Sequence, residues 1–283
     1  MTSFLHRSNI RTAILAHAAA LAMLAVPEGA SAQTTNWPDK VTGRYKITFN
    51  GIEIGKFRFE STADARGYEL QANAKLSILL GAFKWSGKTK STGSLRGDKP
   101  KPADYSFEFD GSSKSGSVAM DFNDAGVTRA VVEPPSKPSK STIPVEDKHL
   151  KGVFDPLSAV MAMSRGISGN PCNQTLPIFD GKQRFDLVFT PAGQRRITEA
   201  KPSGEPEMAY VCKVQYVPIA GHKDNKSTRD NAKTEIELML RPVPSAGIFV
   251  PYQVKIPSFA GSAVLTSERV EITTGPDQIA LVH

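Results

Sequence analysis

The side chains with chemistry to offer are two cysteines, a few histidines and a set of aspartates, and their spacing limits what that chemistry is. Cys172 and Cys212 are the only cysteines of the chain. Neither belongs to a Cys-x-x-Cys pair or has a histidine beside it, as a zinc site would need. A catalytic thiol is not expected where each cysteine can be oxidised by the other. We expect a structural disulfide, and its loop of about 40 residues would contribute roughly 4 kcal/mol in the chain-entropy model. His149, His222 and His283 show no metal-ligand spacing, so each is expected on the surface. No Gly-x-Ser-x-Gly elbow is present, and Gly111-Ser112-Ser113 and Ser115-Gly116-Ser117 read as turn material. Asp155, Asp180 and Asp186 could furnish paired carboxylates. Asp155, however, reads as a helix cap and Asp180-Gly181 as a hairpin turn. No phosphate-cradling loop or dinucleotide fingerprint occurs. The sequence therefore predicts no catalytic residues, no metal and no cofactor. It leaves one candidate surface for a ligand or partner, where Asp180, Arg184 and His222 would converge on loops.

The elements that must position these residues are strands. Tyr45, Ile47 and Phe49 alternate with Lys46 and Thr48, and beyond Asn50-Gly51 Ile52, Ile54, Phe57 and Phe59 interleave with charged residues. Asn-Gly accepts the positive φ values of a type I′ hairpin turn, and Gly55 marks a bulge. The same period of two recurs through Tyr68 to Leu76, Tyr105 to Phe109, Phe185 to Phe189, Cys212 to Tyr216, Ile236 to Leu240 and Tyr252 to Ile256. Turn residues punctuate them at Asp110-Gly111, Asp124-Ala125-Gly126, Pro191-Ala192-Gly193 and Ala260-Gly261. Ten or more antiparallel strands follow, so the predicted fold is mainly β. A large sheet of that kind curls into an open barrel, a spiral or a sandwich. One segment breaks the pattern. Asp155 as N-cap, Pro156 at the first helical position and Gly166 beyond Arg165 predict a short helix. Leu157, Val160, Met161 and Ser164 share a face, so that helix should plug or cap the sheet. Glu133 to Pro144, with four prolines, reads as an extended exposed tether, and Gly221 to Lys233 as a polar loop.

The first 32 residues bound the compartment. His6, Arg7 and Arg11 precede the run Thr12 to Val26, and Ala30-Ser31-Ala32 ahead of Gln33 fits a signal-peptidase site. The run is shorter than the roughly 20 residues a spanning helix needs. No cysteine follows it to take a lipid. The expected mature chain is one β domain, residues 33–283, with a strand set at 41–132, the tether at 133–144 and the helix and disulfide-bearing strands at 145–283. No later segment is long and apolar enough to span a membrane. Loss of Arg7, Arg11 and Glu28 would take the formal charge from +7 to +6. The cations are spread along the chain, so no nucleic-acid partner is expected, while a weak attraction to anionic envelope components fits.

Two stretches carry a family likeness. They are Gly152-Val153-Phe154-Asp155-Pro156-Leu157-Ser158-Ala159 with Asn170-Pro171-Cys172, and Pro177-Ile178-Phe179-Asp180-Gly181 running on to Leu187. With Cys212 to Tyr216, Pro218 to His222 and the opening Tyr45 to Gly55, they resemble the domain of unknown function 3108 family of exported Gram-negative proteins. The resemblance covers most of the mature chain and implies a periplasmic, mostly β protein of the cell envelope, with no established reaction. The leading expectation is a non-enzymatic protein supporting envelope integrity, holding a lipid or other apolar ligand in a half-open barrel. The alternatives are a scaffold with a filled core that binds an envelope protein, and an envelope polysaccharide or peptidoglycan hydrolase, which no motif supports.

Overall fold

Alternating apolar and polar residues become fourteen strands: β1 (Lys40–Phe49), β2 (Ile52–Asp64), β3 (Gly67–Ile78), β4 (Phe83–Arg96), β5 (Lys99–Gly111), β6 (Ser115–Asn123), β7 (Gly126–Glu133), β8 (Thr175–Phe179), β9 (Arg184–Arg196), β10 (Met208–Ala220), β11 (Glu235–Val243), β12 (Ile248–Ser258), β13 (Gly261–Thr274) and β14 (Asp277–Val282). Among the described residues two α-helices accompany them, α1 (Pro156–Arg165) and α2 (Lys226–Lys233). The computed structural model describes residues 37–78, 81–97, 99–135, 139–165 and 169–283. The expected leader, residues 1–32, lies outside them, as do Ser136 to Pro138 of the tether and Gly166 after α1.

All fourteen strands form one antiparallel sheet in the order β7-β6-β5-β4-β3-β2-β1-β13-β12-β11-β10-β9-β8. β14 pairs the second half of β13, on the edge whose first half pairs β12. The two strand sets of the sequence thus meet at its centre, where β1 lies between β2 and β13. The sheet curls without closing, because its end strands β7 and β8 do not pair. The β8–β9 turn instead abuts β6. Gly181 has φ +94°, and a Cβ on it would stand 2.3 Å from Val118 Cγ1, so glycine is what allows this approach. The free edge of β8 is covered by the segment entering α1: Phe154 N–H donates to Pro177 O at 2.9 Å, and Phe179 N–H to Phe154 O at 2.9 Å.

Local chemistry explains the turns. Asn50 and Gly51 both take positive φ, 49° and 85°, as the hairpin required. The bulge falls where Gly55 signalled it, between the pairs Ile47↔Gly55 and Thr48↔Glu53. Pro191-Ala192-Gly193, expected as a turn, is instead a bulge inside β9: the register with β10 slips between Tyr210↔Gln194 and Cys212↔Pro191. Gly193, at φ +98°, absorbs the extra residue while the strand runs on. The polar loop expected at 221–233 contains α2, started by Asn225, whose Oδ1 accepts from Thr228 N at 2.9 Å. That helix has no buried residue, so no apolar stripe announced it. The end of the expected free tether is pinned, with Ile143 N–H donating to His222 O at 2.9 Å and Gly221 N–H to Ile143 O at 2.8 Å.

Candidate binding chamber and its mouth

The chain folds α1 into the hollow of the curled sheet, against β3, β4, β5, β8 and β12. Asp155 caps it as its position foretold, with Oδ1 accepting from Leu157 N at 2.9 Å and Ser158 N at 3.0 Å. The other carboxylate oxygen accepts from the hydroxyls of Ser158 and Ser91, and Tyr68 OH lies 2.8 Å from Ser158 Oγ. Asp155, Ser158 and Ser91 are fully buried. Burial pushes the Asp155 carboxyl up, and its four donors oppose that shift. The cluster lines neither cavity described below. It pins the helix to β3 and β4, so what lies beneath α1 is set by the helix's other faces.

Beneath α1 is an apolar chamber of about 300 Å³. Leu157, Val160 and Met161 form its roof, and side chains from β1, β2 and β9 to β13 form its walls, Phe57 and Phe189 among them. Apart from the hydroxyl of Tyr45, polar side-chain atoms reach the lining only from Ser61, Ser164 and Trp37. The Ser164 hydroxyl is already committed to Val160 O at 2.9 Å. The Trp37 Nε1–H is buried and has no acceptor. A void lined in this way stays dry unless an apolar molecule fills it.

Above the chamber, at the end of the sheet holding the β8–β9 and β12–β13 turns, lies a wide cleft of about 1550 Å³ with a mixed polar and apolar lining. Leu187 and Ile236 line both spaces and form the threshold between them. Asp180 and His222 both reach this cleft, brought there by the β8–β9 turn and the loop after β10. Arg184 does not line it: its Nη1 binds Asp186 Oδ1 at 2.6 Å, with both side chains largely covered. Asp180 Oδ1 accepts from Lys182 N at 2.9 Å and Gln183 N at 2.6 Å, and burial still pushes its carboxyl up. No hydrogen bond joins Asp180 to His222 among the described residues. His222 is not the surface residue expected, being only 8% exposed. Gly221 causes this: at φ +79° it carries the chain against Lys182, whose carbonyl oxygen would lie 1.9 Å from a Cβ there. The buried His222 Nδ1 has no partner.

The expected disulfide is formed. Cys172 and Cys212 are bonded with Cα atoms 5.1 Å apart, both fully buried, tying the segment after α1 to β10 beside the chamber. A second buried polar group escaped sequence reasoning altogether. Arg241 is fully buried, 2.6 Å from Glu199, and its guanidinium also reaches Ser203 Oγ, the carbonyls of Glu205 and Pro206, and His283 Nε2 at 2.9 Å. Since guanidinium only donates, Nε2 accepts and Nδ1–H faces Ser267 Oγ at 3.0 Å. His283, expected on the surface, is therefore half-buried. His149 is also engaged, its Nδ1 accepting from Glu146 N at 3.0 Å.

A family model described as "Protein of unknown function (DUF3108)" matches residues 44–268. No curated protein matches the chain. Among solved structures, the chain is similar to the crystal structure of a beta-barrel-like protein of domain of unknown function DUF1849 from Brucella abortus. The identity is 12%, the TM-score 0.55, and the match covers 84% of this chain and 99% of that one. At that identity the likeness shows the fold alone.

Proposed function

We propose that this chain, which belongs to the DUF3108 family of unknown function, is a non-enzymatic periplasmic protein of the cell envelope that binds a lipid by its apolar chain. The chamber under α1 is the observation that carries this reading. Its volume of about 300 Å³ is at the lower end of ligand pockets, and its lining matches their apolar character. The threshold at Leu187 and Ile236 gives a chain a route inward, and the polar end of the molecule would stay in the cleft. A disulfide suits an oxidising compartment, and among the described residues no helix is long and apolar enough to cross a membrane. Support of envelope integrity would follow from moving or sequestering such lipids.

The test is native mass spectrometry of protein purified without detergent from the periplasm of a bacterial host expressing the full chain, followed by titration with a fluorescent fatty acid. Bound mass that releases as lipid, and probe uptake blocked by Val160→Phe, are the expected results. That substitution narrows the chamber from a half-buried helix position. A bare mass with no uptake, or uptake indifferent to Val160→Phe, overturns the reading and returns the chain to the scaffold alternative.

A further inference from the structure

Eight large apolar residues are exposed among the described residues, and six of them, Ile52, Phe83, Ile143, Val145, Ile256 and Phe259, lie at the end of the sheet that holds the mouth. Monomeric proteins rarely gather exposed apolar residues in this way without a use. Phe259 projects from the tip of the β12–β13 hairpin and is fully exposed, with Ile256 at 46% below it. The tip is held firmly. Asn50 Nδ2 donates to Ala260 O at 3.1 Å, and its Oδ1 accepts from Ser262 N at 2.9 Å. This pairing sets the β1–β2 turn beside the hairpin, with Ile52, 72% exposed, close to that turn.

Asp147 near Val145 and Asp110 near Phe83 are exposed, but around the cleft and the β12–β13 hairpin the acidic side chains are engaged. Asp224 pairs with Arg229, Asp230 with Lys226, and Glu235 with Lys213. Asp180 is turned into its own hairpin. Lys182 and Lys223 on the cleft, and Lys255 beside Ile256, are exposed and have no ion pair among the described residues. We infer that this end of the sheet docks on a lipid bilayer bearing anionic headgroups, with Phe259 and Ile256 entering the interface and the three lysines meeting the headgroups. Apolar side chains on separate turns, with unpaired lysines beside the cleft and the β12–β13 hairpin, suit a deformable anionic surface better than the flat apolar core of a protein interface. The contact would place the mouth at the source of its cargo, but it stands whether or not the chamber is filled.

The measurement is co-sedimentation of the periplasm-purified protein with vesicles of equal phosphatidylglycerol and phosphatidylcholine, against vesicles of phosphatidylcholine alone. We expect binding to the anionic vesicles that falls about tenfold or more with Phe259→Ser, as the loss of one buried phenyl ring implies. The triple change of Lys182, Lys223 and Lys255 to Gln should lower it about a hundredfold and remove its salt dependence. Both variants change exposed residues, so the melting temperature should match the parent. Equal binding to both vesicle types, indifference to Phe259→Ser, or no sedimentation overturns the inference. Self-association in sedimentation velocity that Phe259→Ser abolishes, without vesicle binding, would assign the patch to a second copy and equally overturn it.

Discussion

The carboxylate of Asp155, at the start of α1, accepts the hydroxyl of Ser91, from within β4, at 2.9 Å in the fully buried core. One aspartate thereby does two jobs, ending the loop before the helix and fixing the helix to the sheet. Asp155→Ala leaves two backbone N–H groups without an acceptor and the Ser91 and Ser158 hydroxyls with only each other and Tyr68, and should cost about 3 kcal/mol. Ser91→Ala should cost about 1 kcal/mol. Urea unfolding of the three proteins checks both values, and a Ser91→Ala protein as stable as the parent would mean that the cap alone matters.

The Cys172–Cys212 bridge closes a loop of 40 residues. Cys172→Ser should lower the melting temperature by about 5–15 °C under oxidising conditions, from up to about 4 kcal/mol of loop closure and 2–4 °C per kcal/mol at this size. Reduced wild-type protein should melt with the variant.

The His283 imidazole is held down to about 4 by burial and by the Arg241 guanidinium, against the opposing Glu199 carboxylate. Ser267 and the Tyr252 ring are its other neighbours, and neither supplies a charge. An unfolded chain takes up that proton near 6.5, before the folded one does. The stability this residue contributes is therefore complete above pH 6.5 and is lost as pH falls towards 4. Urea midpoints at pH 7 and pH 4.5 should differ less for His283→Gln than for the parent.

Gly221 seats the loop that carries His222. Gly221→Ala should cost about 1–3 kcal/mol, since it meets both a positive φ and the Lys182 carbonyl. Gly204→Ala, at φ +83° with nothing within 4 Å, meets only the first and should cost less. Thermal melts separate the two effects.

Features encoded over a few residues were legible in the sequence. The Asn50-Gly51 turn, the Gly55 bulge and the Asp155-Pro156 helix start each depend on local φ preferences or on one cap, so residue type reveals them. The disulfide needed only compartment and count. Asp180 and His222 line one cleft, whereas Arg184, two residues from Asp186, is held by that neighbour. The chamber was legible only as an inward-facing stripe, because alternation tells which face a side chain takes and not whether the space there is filled. Arg241 shows the limit most plainly. It points away from Leu240, so the pattern gives it to solvent, but Ser203 to Pro206 cover that outer face and bury it with Met239.

The position of β1 bears on how the molecule is made. Its register with β13 joins Phe49 to Ala263, 214 residues away, whereas every other strand of the first half pairs with its neighbour in sequence. The first seven strands can assemble as a meander while the chain is still emerging, and β9 to β13 can do the same later. Contacts so distant in sequence form slowly, and until they form, β1 offers an unpaired edge to any other strand nearby. The sheet is completed at its centre, so a chain cut short before β13 would keep most of its hairpins and expose its most adhesive edge.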